Sequence, residues 1–145
     1  MPESPWRLLA DVHDKAARSR NMAAIKSKNT RPELIVRRGL HKRGLRFRLY
    51  RRDLPGCPDL VFPAKRVIIF VHGCFWHAHA GCRYYKVPQT DAKRWREKLE
   101  GNSARDTRNQ AALRAAGWRV IVLWECELRE GAERRLDALA EEIRH

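Results

Sequence analysis

Between Gly56 and Cys82 the chain reads GCPDLVFPAKRVIIFVHGCFWHAHAGC, and this stretch gathers an acid behind a proline, three histidines and three cysteines. Asp59 opens the apolar run Leu60-Val61-Phe62, and His72 closes the run Val67 to Val71. If the two runs are paired strands joined by Pro63-Ala64-Lys65, both side chains converge at one edge of a sheet. A carboxylate there can hold Mg2+, which positions a water and neutralises charge building on a phosphate. Many such sites take a lysine from the next strand, in an acid-x-lysine order. Here Val71-His72 stands at that place, which gives His72 the task of activating the water, with His77 near enough to act as a second basic group. Most Pro-Asp pairs are turns; this one gains weight from the two runs behind it.

A second chemistry lies in the same stretch. Cys74-x4-His79-x2-Cys82 sets three soft or borderline ligands close together, and Cys126 follows a later apolar run. Structural zinc takes four such ligands in a tetrahedron, commonly three cysteines and a histidine. The alternative is a group of buried free thiols. Cys57, on the far side of Asp59, is left outside the set. Phe75 and Trp76 sit inside this loop, where no strand or helix core claims them, and Trp95 lies among Lys93, Arg94, Arg96 and Lys98. Aromatic rings amid positive charge stack on bases or wedge between them. For Trp95 a core position is an equal alternative; Trp118 and Trp124 flank an apolar run and read as core.

The elements that must position these groups can be read in turn. Thr30-Arg31-Pro32-Glu33 is a helix start, with Thr30 as cap and Glu33 closing a capping box, and the helix runs to about Lys42 before Gly44. Leu45 to Tyr50 alternates as a half-exposed strand. Leu60 to Phe62 and Val67 to Val71 follow as strands, the second continuous and β-branched enough to be buried on both faces. Thr90 or Asp91 caps a helix that Gly101 ends; a further helix runs from about Ser103 to Ala116, with Gly117 after it. Trp118 to Glu125 is the last strand, and an amphipathic helix from about Gly131 to Arg144 carries Leu136, Leu139 and Ile143. The expected architecture is α/β, a mixed central sheet with helices on both sides, in a single domain over residues 1–145 of which 1–12 form a loose arm. From Asp14 to Lys28 basic residues recur in a short helix, either a solvated face or a DNA contact.

With 31 Lys+Arg against 17 Asp+Glu, the formal net charge is +14. So large an excess points to a polyanion, most simply nucleic acid. No apolar run approaches the ~20 residues of a membrane span, and no signal-peptide pattern opens the chain. An intracellular protein is expected, in which cysteines among histidines favour metal over disulfides.

Taken together, ADVHDKAARSRNM (Ala10 to Met22), LPGCPD (Leu54 to Asp59), VIIFVHGCFWHAH (Val67 to His79), YKVPQT with Trp95 beyond it, and GWRVIVLWEC (Gly117 to Cys126) resemble the very short patch repair endonucleases. The resemblance covers nearly the whole chain. It implies a restriction-endonuclease-like (PD-(D/E)XK-type) core with a structural zinc loop. The implied activity is nicking of DNA 5′ to the thymine of a T·G mismatch left by deamination of 5-methylcytosine, which initiates very short patch repair. It also implies a prokaryotic, cytoplasmic, nucleoid-associated monomer acting on double-stranded DNA, with repair-pathway proteins as further partners. Carried over by residue, Asp59 resembles the catalytic Mg2+-binding acid, and His72 and His77 the catalytic histidines. Glu33 matches an acid near the active site, and Cys74, His79, Cys82 and Cys126 match the structural Zn2+ ligands. Phe75, Trp76 and Trp95 match the wedge beside the mismatch, and the segment around Met22 and Lys26 matches an arm on the DNA. Val71 replaces a familiar threonine, so that only its backbone carbonyl is left to bind Mg2+; Ala78 and Ala80-Gly81 replace a histidine-rich run. Two other readings are a strand-nicking or restriction-type nuclease without mismatch preference, and a zinc-stabilised DNA-binding module without catalysis.

Overall fold

The computed structural model describes residues 29–145, so the arm over residues 1–12 and the basic segment from Asp14 to Lys28, with Met22 and Lys26, lie outside the described residues. Helix α1 spans Arg31–Lys42. Its start follows the sequence: Thr30 Oγ1 accepts the Glu33 N–H at 3.4 Å and Pro32 lies in the first turn. Gly44, at φ 84°, ends it. Glu33 does not complete the expected capping box. Its carboxylate is buried and takes the N–H of Asn29 at 3.1 Å instead of that of Thr30, because Asn29 adopts a left-handed conformation (φ 56°) just ahead of the helix.

Four strands follow the order β1-β2-β3-β4, with β1 Arg48–Leu49, β2 Leu60–Phe62, β3 Val67–His72 and β4 Arg119–Trp124. The first two pairings are antiparallel and β3–β4 is parallel, so the sheet is mixed. Pairing over 45–50 is shorter than its alternation suggests. Leu45 and Phe47 pack on the core, Leu49 is exposed, and the strand stops at Tyr50, whose φ is 49°.

Side chains alternate across a strand, and β3 uses both faces. Val67, Ile69 and Val71 pack with Val36 and Leu40 of α1 and with Leu128, Leu136, Leu139 and Ile143. Ile68 and Phe70 face the opposite way, onto Leu113 and Trp118. All six residues of β3 are buried, as a continuous apolar run between two helical layers should be.

One helical boundary differs from expectation, and one helix gains a short neighbour ahead of it. Helix α2 runs unbroken over Ala92–Ala115, through Gly101. A glycine inside a helix costs about 1 kcal/mol relative to alanine, too little to break a segment flanked by Leu99 and Leu113, both fully buried. Asp91 is the residue before it, in a left-handed conformation and with no capping side-chain bond. Element α3 spans Glu125–Arg144 as two helices joined across Gly131, whose φ 179° and ψ 73° are not helical. The expected helix from about Gly131 to Arg144 is present, and a short one beginning at Glu125, directly after β4, precedes it. The early start is supported by Glu127, whose carboxylate accepts the Trp124 N–H at 3.2 Å, and by Leu128, buried in the core.

Candidate active site and metal centre

Asp59 lies immediately before β2, and the antiparallel register brings it across from the end of β3. There its Oδ2 accepts the Val71 N–H at 2.7 Å. The aspartate is buried beside Glu33 of α1. Burial first, then the charge and hydrogen bond of Glu33, push the Asp59 carboxyl well above the usual carboxylate range, against the pull of the Val71 N–H. Two acids brought together away from water favour a shared proton or a bound cation. The donors are hard oxygens, the set that suits Mg2+.

His72 ends β3, one residue beyond Val71, and its side chain is on the α2 side of the sheet. It stacks on His77, ring centroids 3.7 Å apart and planes 2° from parallel. His77 Nδ1 pairs with Asp106 Oδ2 of α2 at 2.5 Å. Burial, then the neighbouring His77, lower the His72 pKa to about 3, and Asp106 opposes this. Its Nδ1 is buried with no hydrogen-bond partner among the described residues. The ligand atoms of His72, His77 and Asp106 all lie within 4.8 Å of one another. Parallel stacked imidazoles, however, send their in-plane lone pairs along parallel lines. The pair therefore suits two proton-handling positions better than one shared ion.

Cys74, His79, Cys82 and Cys126 form a second cluster, with ligand atoms within 4.8 Å of one another. The tight turns over 73–82 bring the first three together, and Cys126 comes from the first turn of α3. Cys126 Sγ lies 3.6 Å from His79 Nδ1. A tetrahedron with zinc–ligand bonds of ~2.0–2.3 Å has edges of roughly that length. Burial pushes the Cys74 and Cys126 thiols up, so thiolates here need a cation to hold them. The donor set therefore fits a metal that accepts sulfur and imidazole. Cys57 lies outside this cluster, half-buried and at φ 45°.

Trp124 connects the two clusters. Its indole stacks on His79 at 3.9 Å, planes 4° apart, and meets His72 edge-on at 5.2 Å. Expected in the core from its place beside an apolar run, it is only half-buried and packs on the two histidines instead. Phe75, Trp76 and Trp95 do not stand alone in solvent: they are half-buried against one another, with centroids 5.0 to 5.9 Å apart. Lys98 lies over Trp76 and Trp95 at 5.6 and 5.7 Å.

Three residues of α2 escaped sequence reasoning. Asn102 donates to the Trp76 carbonyl at 3.1 Å, Asp106 pairs with His77, and a Cβ built on Gly56 would stand 3.1 Å from Asn109 Nδ2. The spacing i, i+4, i+7 places all three on one helical face, and that spacing is the signal in the sequence. An expected break at Gly101 separates Asn102 from its helix and hides it.

Residues 10–83 match the family described as DNA mismatch endonuclease Vsr. The DNA mismatch endonuclease Vsr of Escherichia coli (strain K12) is 47% identical over 136 residues, spanning 93% of this chain and 86% of its own. The type II nicking enzyme V.XorIIP of Xanthomonas oryzae pv. oryzae is 58% identical over 107 residues, 74% of this chain and 78% of its own. V.NmeAIP of Neisseria meningitidis, also a type II nicking enzyme, is 38% identical over 138 residues, 94% and 98%. The matched region takes in both Asp59 and the His72–Cys82 loop, and the E. coli relative extends the likeness over most of the remaining chain. The chain belongs to the Vsr family of DNA mismatch endonucleases.

Proposed function

We propose that this protein is a Mg2+-dependent endonuclease that nicks one strand 5′ to the thymine of a T·G mismatch arising from 5-methylcytosine deamination. The observation that carries the reading is the convergence at the end of β3. His72, His77, Phe75 and Trp76 follow one another along the end of β3 and its succeeding turns, and Asp59, from the start of β2, is bonded to Val71 at the same strand end with Glu33 of α1 beside it.

Asp59 and the Val71 carbonyl would hold the cation, with Glu33 beside them. Bound there, Mg2+ would neutralise charge on the scissile phosphate and lower the pKa of a water. His77 is the better base. With Nδ1–H donated to Asp106, its tautomer leaves Nε2 free to take a proton from the attacking water. His72 is held neutral by burial and supports the His77 ring by stacking. This geometry favours the reverse of the division of labour expected from the sequence. Cys74, His79, Cys82 and Cys126 would hold a structural Zn2+, fixing the loop that carries His77 and the aromatic rings. Phe75, Trp76 and Trp95 would open the duplex at the mismatch, and Met22 and Lys26 would add contacts from the N-terminal segment. The protein would act as a monomer on double-stranded DNA in the bacterial cytoplasm.

The relatives named as type II nicking enzymes support a second reading, nicking without mismatch preference. One experiment separates the two: cleavage of T·G and T·A duplexes of the same sequence, with and without Mg2+. Nicking confined to the T·G duplex and to added Mg2+ is expected. Asp59→Ala should abolish it while leaving duplex affinity largely intact, because phosphate contacts supply most of that affinity. Equal cleavage of both duplexes would overturn the mismatch assignment, and an active Asp59→Ala would overturn the site.

A further inference from the structure

We propose that Arg37 and Tyr50 are positioning residues that lock Glu33 beside Asp59 and thereby set how tightly the acid pair binds a divalent cation. The proposal rests on the cation reading of Asp59 given above. Three donors meet at one oxygen of the buried Glu33: Oε2 accepts from the Asn29 N–H at 3.1 Å, from Arg37 Nη2 at 2.9 Å and from the Tyr50 hydroxyl at 2.5 Å. The donors also hold one another. The Tyr50 oxygen accepts from the Asn29 N–H at 2.8 Å and from Arg37 Nη2. Arg37 Nη1 donates to Asn29 Oδ1 at 3.0 Å, and the guanidinium carbon lies 5.2 Å from the centre of the tyrosine ring.

The backbone bears a mark of the same demand. Tyr50 has φ 49° at the end of β1. Few residues other than glycine, asparagine and aspartate adopt that region, and a bulky one stays there only where its surroundings fix it. Among the described residues, Glu33, Asn29 and Arg37 all hold the Tyr50 hydroxyl, the bond to Glu33 reaching across 17 positions of chain.

The chemistry follows from the occupancy of Oε2. Bound by three donors, that oxygen cannot swing toward Asp59, which leaves Oε1 as the oxygen to face the aspartate. Arg37 compensates one negative charge of a buried pair, so the second can be matched by a cation. Partners of this kind, one shell behind metal ligands, typically change metal affinity 10–100-fold when removed.

The test is Mn2+ binding to the full-length, zinc-loaded protein on a T·G duplex, read by electron paramagnetic resonance of the free ion, so that no turnover enters the readout. Wild type, Asp59→Ala, Tyr50→Phe, Glu33→Gln and the Glu33→Gln/Tyr50→Phe double variant are compared, with melting temperature and zinc content followed in each. Tyr50→Phe should weaken the Asp59-dependent site about tenfold, and should weaken it no further in the Glu33→Gln background, as expected of residues acting through one another. A purely structural tyrosine would give the same loss in both backgrounds, or none in either, and both results overturn the proposal. Should Tyr50→Phe fail to fold, Arg37→Lys, which keeps the charge but not the fork, carries the same comparison. A wild type with no site that Asp59→Ala removes would sink the cation reading and this proposal together. A normal Asp59-dependent site in Tyr50→Phe would sink only this one.

Discussion

In the proposed mechanism, proton chemistry would depend on two stacked rings in unlike surroundings. His77 has a carboxylate partner in Asp106, whereas His72 is buried with its pKa near 3. An unfolded histidine titrates near 6.5. As pH falls below that value the unfolded chain takes up a proton at His72 and the folded chain does not, until about 3. His72 therefore costs the fold stability across pH 6.5 to 3, at a slope of about 1.4 kcal/mol per unit once the unfolded form is protonated. We expect His72→Gln to gain on wild type between pH 7.5 and pH 5.5, both with zinc bound, in urea unfolding at the two values. An unchanged gap would mean that His72 is protonated in the fold. At this scale the sequence was legible where a residue type declares its chemistry: the Cys74-His79-Cys82 spacing and the acid before a strand were visible. Asp106, Tyr50 and Arg37 were not, since one acid or arginine in a highly charged chain looks like any other until a fold gives it a neighbour.

Strands and helices were legible to different degrees, for a physical reason. The run Val67 to Val71 has only one way to bury its β-branched side chains, and α1 has a cap and a stop, so both lie where the sequence put them. Glycine is ambiguous. Gly44 ends α1 at φ 84°, while Gly101 sits inside α2 with no positive φ, and nothing in the residue itself distinguishes the two. The continuity of α2 can be measured. A Cβ at Gly101 would meet nothing within 4 Å among the described residues, so Gly101→Ala should stabilise the protein by about 0.5–1 kcal/mol. Were Gly101 instead a left-handed helix end, alanine would destabilise by a similar amount, and chemical denaturation decides between them. The loop over 73–82 has little regular structure to hold it, and Cys126 reaches it from another element. Folded protein is expected to carry about one zinc, and Cys82→Ser to lose both the metal and much of the stability. Zinc-free protein with unchanged melting behaviour would refute the metal centre, and Cys57→Ser should be tolerated.

For the whole molecule, the proposed function would have charge and aromatic rings divide the work of binding DNA. A net charge of +14 supplies attraction to any duplex, and that part must fall steeply with salt. It cannot distinguish a T·G pair from a T·A pair. Opening a paired step costs a few kcal/mol, less where pairing is already weak, and stacking on an aromatic ring returns ~1–3 kcal/mol per base. A wedge that opens only weak steps thus converts local instability of the duplex into specificity. Because Phe75, Trp76 and Trp95 pack on one another, removing one ring also loosens the other two, and some loss of thermal stability will accompany any effect on DNA. The informative quantity is therefore a ratio within one variant. Affinities for T·G and T·A duplexes, titrated at one salt concentration, share whatever the damaged cluster costs. Trp76→Ala should lower that ratio by about tenfold, corresponding to ~1.4 kcal/mol of lost discrimination, with the salt slope unchanged because no phosphate contact is removed. If both duplexes weaken equally, the rings only anchor the protein, and the mismatch must be read by hydrogen bonds to its bases.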